Sequence, residues 1–153
     1  MRRLLCLPIL LIATACSAGG TSGALAPESI TFAPSLGVDV AAMERMRDGV
    51  LVRDLVVGSG PSVRRGSRVG VHFAGFLPDG TQFDAAAPPS PPVEFVLGAG
   101  GVIRGWQTGI VGMRVGGQRQ LVVPASEAYG TQSVGRVPPN ATLVFVIKLV
   151  SAR

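Results

Sequence analysis

The sequence predicts an α+β fold: a curved antiparallel β-sheet folded over one short α-helix. Three observations point to it. From Gly49 onward, β-rich apolar stretches follow one another between glycine and proline turns, without the strand–helix alternation of a parallel α/β fold. One segment alone has strong helical spacing. In "GVIRGWQTGIVGM", residues 101–113, Ile103, Trp106, Ile110 and Met113 recur at steps of three, four and three. That helix also contains Gly105, Gly109 and Gly112, and each glycine costs about 0.5–1 kcal/mol against alanine. It can persist only if a sheet packs over it.

The N-terminus reads as an address. "MRRLLCLPILLIATAC" has a basic start and then an apolar run of about a dozen residues, broken by Pro8 and shorter than the roughly 20 that span a bilayer. Residues 1–15 are therefore expected to be a signal peptide. "IATAC" resembles a bacterial lipobox, with Cys16 the lipidated residue, although Ala13 and Ala15 also suit ordinary signal cleavage. Cys6 leaves with the signal, so Cys16 would otherwise be an unpaired exported thiol. "SAGGTSG" after it reads as a flexible tether. Residues 16–47 are expected to comprise this cysteine, the tether and an arm, "ALAPESITFAPSLGVDV", expected to be loosely held, with packing on the domain or on a second copy the open alternatives, and a turn or two of helix in "AAMERMRDG". The expected location is exported: cell envelope or periplasm, anchored to a membrane by lipid.

The remaining elements follow in order over a domain spanning 48–153. "GVLVRDLVVGSG" is a strand running into a glycine turn. "SRVGVHFAGFL" is a second strand, closed by the turn "PDG". "TQF" resumes extended structure, and "AAAPPSPP" is a proline-rich loop that cannot pair as a central strand. "VEFVL" is a third, short strand before the helix, and "GGQRQLVVP" a fourth. "ASEAYGTQSVGRVPPNA" is a long loop containing a tight turn. "TLVFVIKLV" closes the domain as a fifth strand of high β-propensity.

Charge and composition exclude much. The formal net charge is +5, but Arg2 and Arg3 leave with the signal, and the remaining basic residues are scattered. No basic stripe interleaved with aromatics suggests a nucleic-acid partner. His72, the one histidine, lies within a strand and reads as structural. No cysteine beyond Cys16 remains for zinc or thiol chemistry, and no serine sits in a nucleophile-elbow frame. Asp84 and Glu94 could form a carboxylate pair, but nothing else supports glycoside chemistry. Rotation of an X-Pro bond needs no nucleophile, metal or cofactor, only a pocket that favours the twisted amide over the planar one.

"VHFAGFLPDGTQFDAA", "VEFVLGAGGVIRGWQTGIVGMRVGGQRQLVVPASEAYG" and "VPPNATLVFVIKLV" closely resemble the FKBP-type peptidyl-prolyl isomerase family over about residues 48 to 153. The resemblance implies a half-open sheet around the helix, with a proline pocket between them. Trp106 would be the pocket floor, and Phe83, Phe95, Val102, Ile103, Tyr129 and Phe145 its walls, with Phe73 beside them. The Ile103 N–H and the Tyr129 hydroxyl would donate to substrate carbonyls, and Asp84 would set the pocket's polarity. These imply the catalytic set Asp84, Tyr129, Ile103 and Trp106, with no metal and no cofactor. The implied partners are proline-containing unfolded or exported polypeptides and macrolide-type inhibitors. For Phe83 and Asp84 to reach one pocket, strict strand alternation must break between them. Phe73 stands where the family often has tyrosine, Val93 where it often has phenylalanine, and Arg136 is expected near the rim. A non-enzymatic chaperone or binding module is the alternative reading.

Overall fold

The computed structural model describes residues 26–153. The expected signal peptide, Cys16 and the expected tether lie outside them. Seven strands form one antiparallel sheet: β1 (Glu44–Arg45), β2 (Leu51–Val56), β3 (Arg68–Phe76), β4 (Gln82–Ala86), β5 (Val93–Val96), β6 (Gln118–Val123) and β7 (Leu143–Ala152). Their order is β1-β2-β6-β7-β3-β4. Strand β3 uses its outer edge twice, pairing Arg68–Val71 with β5 and Phe73–Phe76 with β4. The five expected strands are all present. The extra two are short: "TQF" opens β4, and Glu44–Arg45 is a strand where a helical turn was expected.

The helix α1, Arg104–Gly109, is shorter than the apolar spacing predicts. Ile110 caps it, Gly112 turns the chain at φ +83°, and Met113 reaches the core from that turn. One sheet face covers the helix. Val52, Val69, Val71, Leu121, Val123, Phe145, Ile147 and Leu149 are buried against Trp106, Ile110 and Met113. The glycines of α1 now have a purpose. A Cβ on Gly105 would lie 2.4 Å from the Val123 side chain, and one on Gly109 would lie 2.9 Å from Leu121. The helix rests with its backbone against β6. Gly105→Ala should lower stability by about 1–3 kcal/mol through overpacking, despite alanine's better helix propensity, because Val123 is fully buried and cannot yield freely. Thermal unfolding of the variant measures this.

The other sheet face is covered too: of the alternatives the sequence leaves open, the arm packs on the domain rather than being loosely held. Phe32, Leu36, Val38, Val40 and Met43 pack over Leu51, Val122, Val144 and Phe76. The arm is a series of 3-10 turns, Pro27–Ser29, Pro34–Leu36 and Val40–Ala42. The buried Gln120 donates from Nε2 to the Leu36 carbonyl at 2.7 Å, and the Ala33 N–H donates to the Pro78 carbonyl at 2.8 Å. Burial on both faces explains why "QLVV" and "TLVFVIKLV" are continuously apolar rather than alternating.

Candidate active site

The site starts at a break in strand pairing. Gly75 pairs with Asp84, but the next residue, Phe76, pairs with Gln82, so Phe83 is the extra residue of a β-bulge. The bulge turns both Phe83 and Asp84 towards one cavity, which meets the demand placed on the sequence. Gly75 makes room for it: a Cβ there would lie 2.8 Å from the Phe83 ring and 2.9 Å from Phe145.

The cavity has a volume of about 240 Å³. Trp106 lies at its base, 5% exposed, and is held edge-on by neighbouring rings. Its centroid is 4.9 Å from that of Phe73 and 5.3 Å from that of Phe145, with interplanar angles of 78° and 84°. Phe83 meets Phe145 edge-to-face at 5.7 Å. Such pairs contribute about 0.5–1.5 kcal/mol each beyond burial, so the walls are stiff before any ligand arrives. Val102, Ile103, Tyr129 and Asp84 also line the cavity.

Phe95 does not line it. Its ring packs against the indole at 5.8 Å, while Val93, two residues earlier on the same strand face, lines the cavity instead. Glu94 is directed away by strand alternation and pairs with Arg68 and Arg153, so it forms no carboxylate pair with Asp84. Gly101 is a further lining residue that side-chain reasoning missed. Arg136 sits exposed in the tight turn closed by Val134 and Val137, and is not among the lining residues. His72 donates from Nδ1 to the Ala86 carbonyl, 3.2 Å away, and holds β4 to β3.

Besides the buried Trp106 Nε1, which has no partner among the described residues, the lining offers donors at Ile103 and Tyr129. Ile103 is the N-terminal flank of α1, and its N–H has no partner among the described residues. The Tyr129 hydroxyl likewise has none. Burial, and secondarily the negative charge of Asp84, raise the Tyr129 pKa above its ordinary value. The phenol therefore stays protonated, and a donor, throughout the neutral range. As the chain has one tyrosine, an ultraviolet absorbance titration reads this group alone. Its midpoint should lie above that of free tyrosine, and Asp84→Asn should bring it only part of the way down, because burial is the larger cause.

Residues 60–150 match the family model described as FKBP-type peptidyl-prolyl cis-trans isomerase. The chain belongs to this family. It is 45% identical over 108 residues to FK506-binding protein 3 of Eremothecium gossypii, covering 71% of this chain but 26% of that one. The chain thus spans about a quarter of the length of the curated relatives it matches. A peptidyl-prolyl cis-trans isomerase from Pseudomonas syringae pv. tomato superposes with a TM-score of 0.64 and 35% identity, covering 72% of this chain and 80% of that one. FkpA from Escherichia coli gives 0.67 and 33%, covering 73% and 52%. The helix, the bulged β4 and the Tyr129 loop all fall within the matched family segment.

No group of three or more histidine, cysteine, aspartate or glutamate side chains is placed to hold a metal among the described residues. No helix among them is long and apolar enough to cross a membrane.

Proposed function

We propose that the protein is a peptidyl-prolyl cis-trans isomerase acting on unfolded exported polypeptides, held in the cell envelope by a lipid on Cys16. The observation that carries the activity is the cavity: an indole base, phenylalanine walls, unpartnered donors at Ile103 and Tyr129, and no serine, cysteine, histidine or lysine in the lining. Catalysis there is differential binding. The X-Pro bond has a barrier near that of other peptide bonds, about 18–20 kcal/mol, set by amide resonance. A planar amide is more dipolar than a twisted one. An apolar cavity that removes water from the amide therefore disfavours the planar form relative to the twisted one. The proline ring lies on Trp106 between Phe83 and Phe145. The Ile103 N–H and the Tyr129 hydroxyl hold carbonyls on either side, so the chain can rotate about a fixed ring. Burial, and secondarily the Asp84 charge, keeps the Tyr129 proton in place. FK506, the ligand in its relative's name, would compete for the same cavity.

A protease-coupled assay on proline peptides tests this. Purified protein should accelerate the cis-to-trans step, and absence of acceleration would overturn the enzymatic reading. A second reading, a non-enzymatic chaperone, is favoured by one observation: Val93 leaves that side of the cavity thinly walled. Aggregation suppression with isomerisation at background would support it. For the anchor, wild-type protein should partition with membranes, and Cys16→Ala should release it to the soluble fraction.

A further inference from the structure

The C-terminal end of β2 is left uncovered by the other described residues. Strand β1 pairs with Leu51 and Val52 alone, and the arm covers Leu51. Beyond them the register of β2 on β6 slips between Asp54 and Val56, and three consecutive apolar side chains emerge. Leu55, Val56 and Val57 are 42%, 50% and 75% exposed. Single exposed apolar residues are ordinary, but three in a row mark a contact surface. Basic residues adjoin them. Val56, Val57, Gly112 and Arg114 line one shallow hollow, and Arg114 Nη1 donates to the Gly60 carbonyl at 3.3 Å. The Val63 N–H donates to the Met113 carbonyl at 2.8 Å and the Gly112 N–H to the Val63 carbonyl at 2.9 Å, which brings the exposed Arg64 and Arg65 beside the same segment. Residues 53–65 and 111–117 together carry Arg53, Arg64, Arg65 and Arg114 against a single carboxylate, Asp54, which is bound to Arg119. This end is remote from the cavity: α1 starts at the cavity beside Ile103 and ends towards Gly112, and β6 runs from beside Gly117 back to the loop of Tyr129.

We propose that this end of the molecule docks on an anionic lipid bilayer, with Val56 and Val57 in the headgroup layer and Arg64, Arg65 and Arg114 on lipid phosphates. The inference goes beyond the isomerase reading and rests on the envelope location. Charge and apolar character together select the occupant: guanidinium forks suit phosphate, and apolar side chains beside them suit the headgroup–acyl boundary. Chain length agrees. The ten residues from Cys16 to Leu25 span at most about 35 Å, and the six residues of β2 span about 20 Å. A lipid on Cys16 and this patch can therefore reach one surface together. The tether makes the contact intramolecular, so a weak patch suffices. The cavity then lies at the end away from the bilayer, accessible to exported polypeptides.

The test is co-sedimentation of full-length Cys16→Ala protein, which carries no lipid, with vesicles of phosphatidylcholine alone or of equal parts phosphatidylcholine and phosphatidylglycerol. A signal retained on the chain is common to every variant, so ratios between variants read the patch. An arginine near an anionic surface contributes about five-fold in partitioning, so three should give an anionic preference of about 100-fold at low ionic strength. The preference should shrink towards one at 1 M salt, where the screening length is about 3 Å. Arg64→Gln/Arg65→Gln/Arg114→Gln should remove most of it, with an unchanged circular dichroism melt. Arg64→Gln/Arg65→Gln, at two exposed positions, should lose about 25-fold even if the triple variant is unstable. Val56→Ser/Val57→Ser should weaken binding at every salt concentration. Equal partitioning onto both kinds of vesicle, or a preference unchanged in the glutamine variants, would overturn the proposal. So would a dimer in analytical ultracentrifugation that Val56→Ser/Val57→Ser dissolves, without vesicle binding, since the patch would then belong to a second copy. Because the assay uses unacylated protein, its failure is distinct from failure of the anchor, which fatty-acid labelling of wild-type Cys16 reads separately.

Discussion

Trp106→Ala is expected to lower kcat/KM for a proline peptide by about 100-fold, the loss of roughly 3 kcal/mol of transition-state stabilisation. The indole does two things at once. In the proposed mechanism its face is the surface on which a proline ring rests, and the ring packs against Phe73, Phe95 and Phe145. Removing it opens the cavity into the core, admits water, and lets Phe83 and Phe145 lean inwards. The same truncation should cost about 3–5 kcal/mol of stability, so loss of fold must be separated from loss of pocket. Phe83→Ala provides the separation. Phe83 is only half-buried, lining the cavity at the edge of the core. It should lose about ten-fold in kcat/KM with a smaller drop in unfolding temperature. Circular dichroism melts beside the isomerase assay check both. Trp106→Ala retaining near-normal turnover in folded protein would refute the cavity as the active site.

The site was legible in the sequence to the extent that its residues sit in one unbroken motif. Ile103 and Trp106 fall within a helical pattern, and "AYG" and "TLVF" carry Tyr129 and Phe145. Phe95 was misplaced because strand alternation assigns it the same face as Val93 without saying which of the two lies above the indole and which below. The answer depends on where β5 ends against α1, a tertiary quantity. The bulge at Phe83 could be demanded from the sequence, since two neighbouring residues had to serve one pocket, but its register could not be derived.

The sheet and helix were legible for a related reason: β-rich runs and one glycine-weakened amphipathic segment leave few ways to bury everything. The arm was not. Phe32, Leu36, Val38, Val40 and Met43 are interrupted by Pro34 and Gly37, and only Leu36, Val38 and Val40 alternate, too short a run to define an element. Their partners Leu51, Val122 and Val144 lie within continuously apolar strands, where an outward-facing valine cannot be told from an inward one. The continuous pattern was itself the clue, since a strand solvated on one face would alternate.

Arg119 shows what a polar residue at an apolar position can indicate. Positions 119, 121 and 123 of β6 share the inward face, and the latter two are Leu121 and Val123. An arginine in that series must find partners or not be buried. It finds four acceptors. Nε and Nη2 donate to Asp54 at 2.6 and 2.9 Å, and Nη1 donates to the carbonyls of Gly109 and Val111 at 2.9 and 3.1 Å. The guanidinium thus ties the C-terminal end of α1, where orphan carbonyls carry partial negative charge, to strands β2 and β6. Arg119→Met keeps the stem and removes the fork. It leaves two carbonyls of the helix end without a donor and Asp54 without its cation. Asp54 is half in solvent, with 40% of its side chain exposed, so water recovers much of its share. The net loss should be about 2–3 kcal/mol, chiefly from the uncovered carbonyls. In a domain of this size that is a fall of roughly 5–15 °C in unfolding temperature, read by calorimetry. Because α1 carries Trp106, the surviving folded protein should also bind proline peptides less tightly. Arg119→Lys should recover only part of the loss, since an ammonium cannot span the carboxylate and both carbonyls in one plane. A thermal transition unchanged in Arg119→Met would mean that the helix is positioned by the packing of Gly105 and Gly109 against β6 alone.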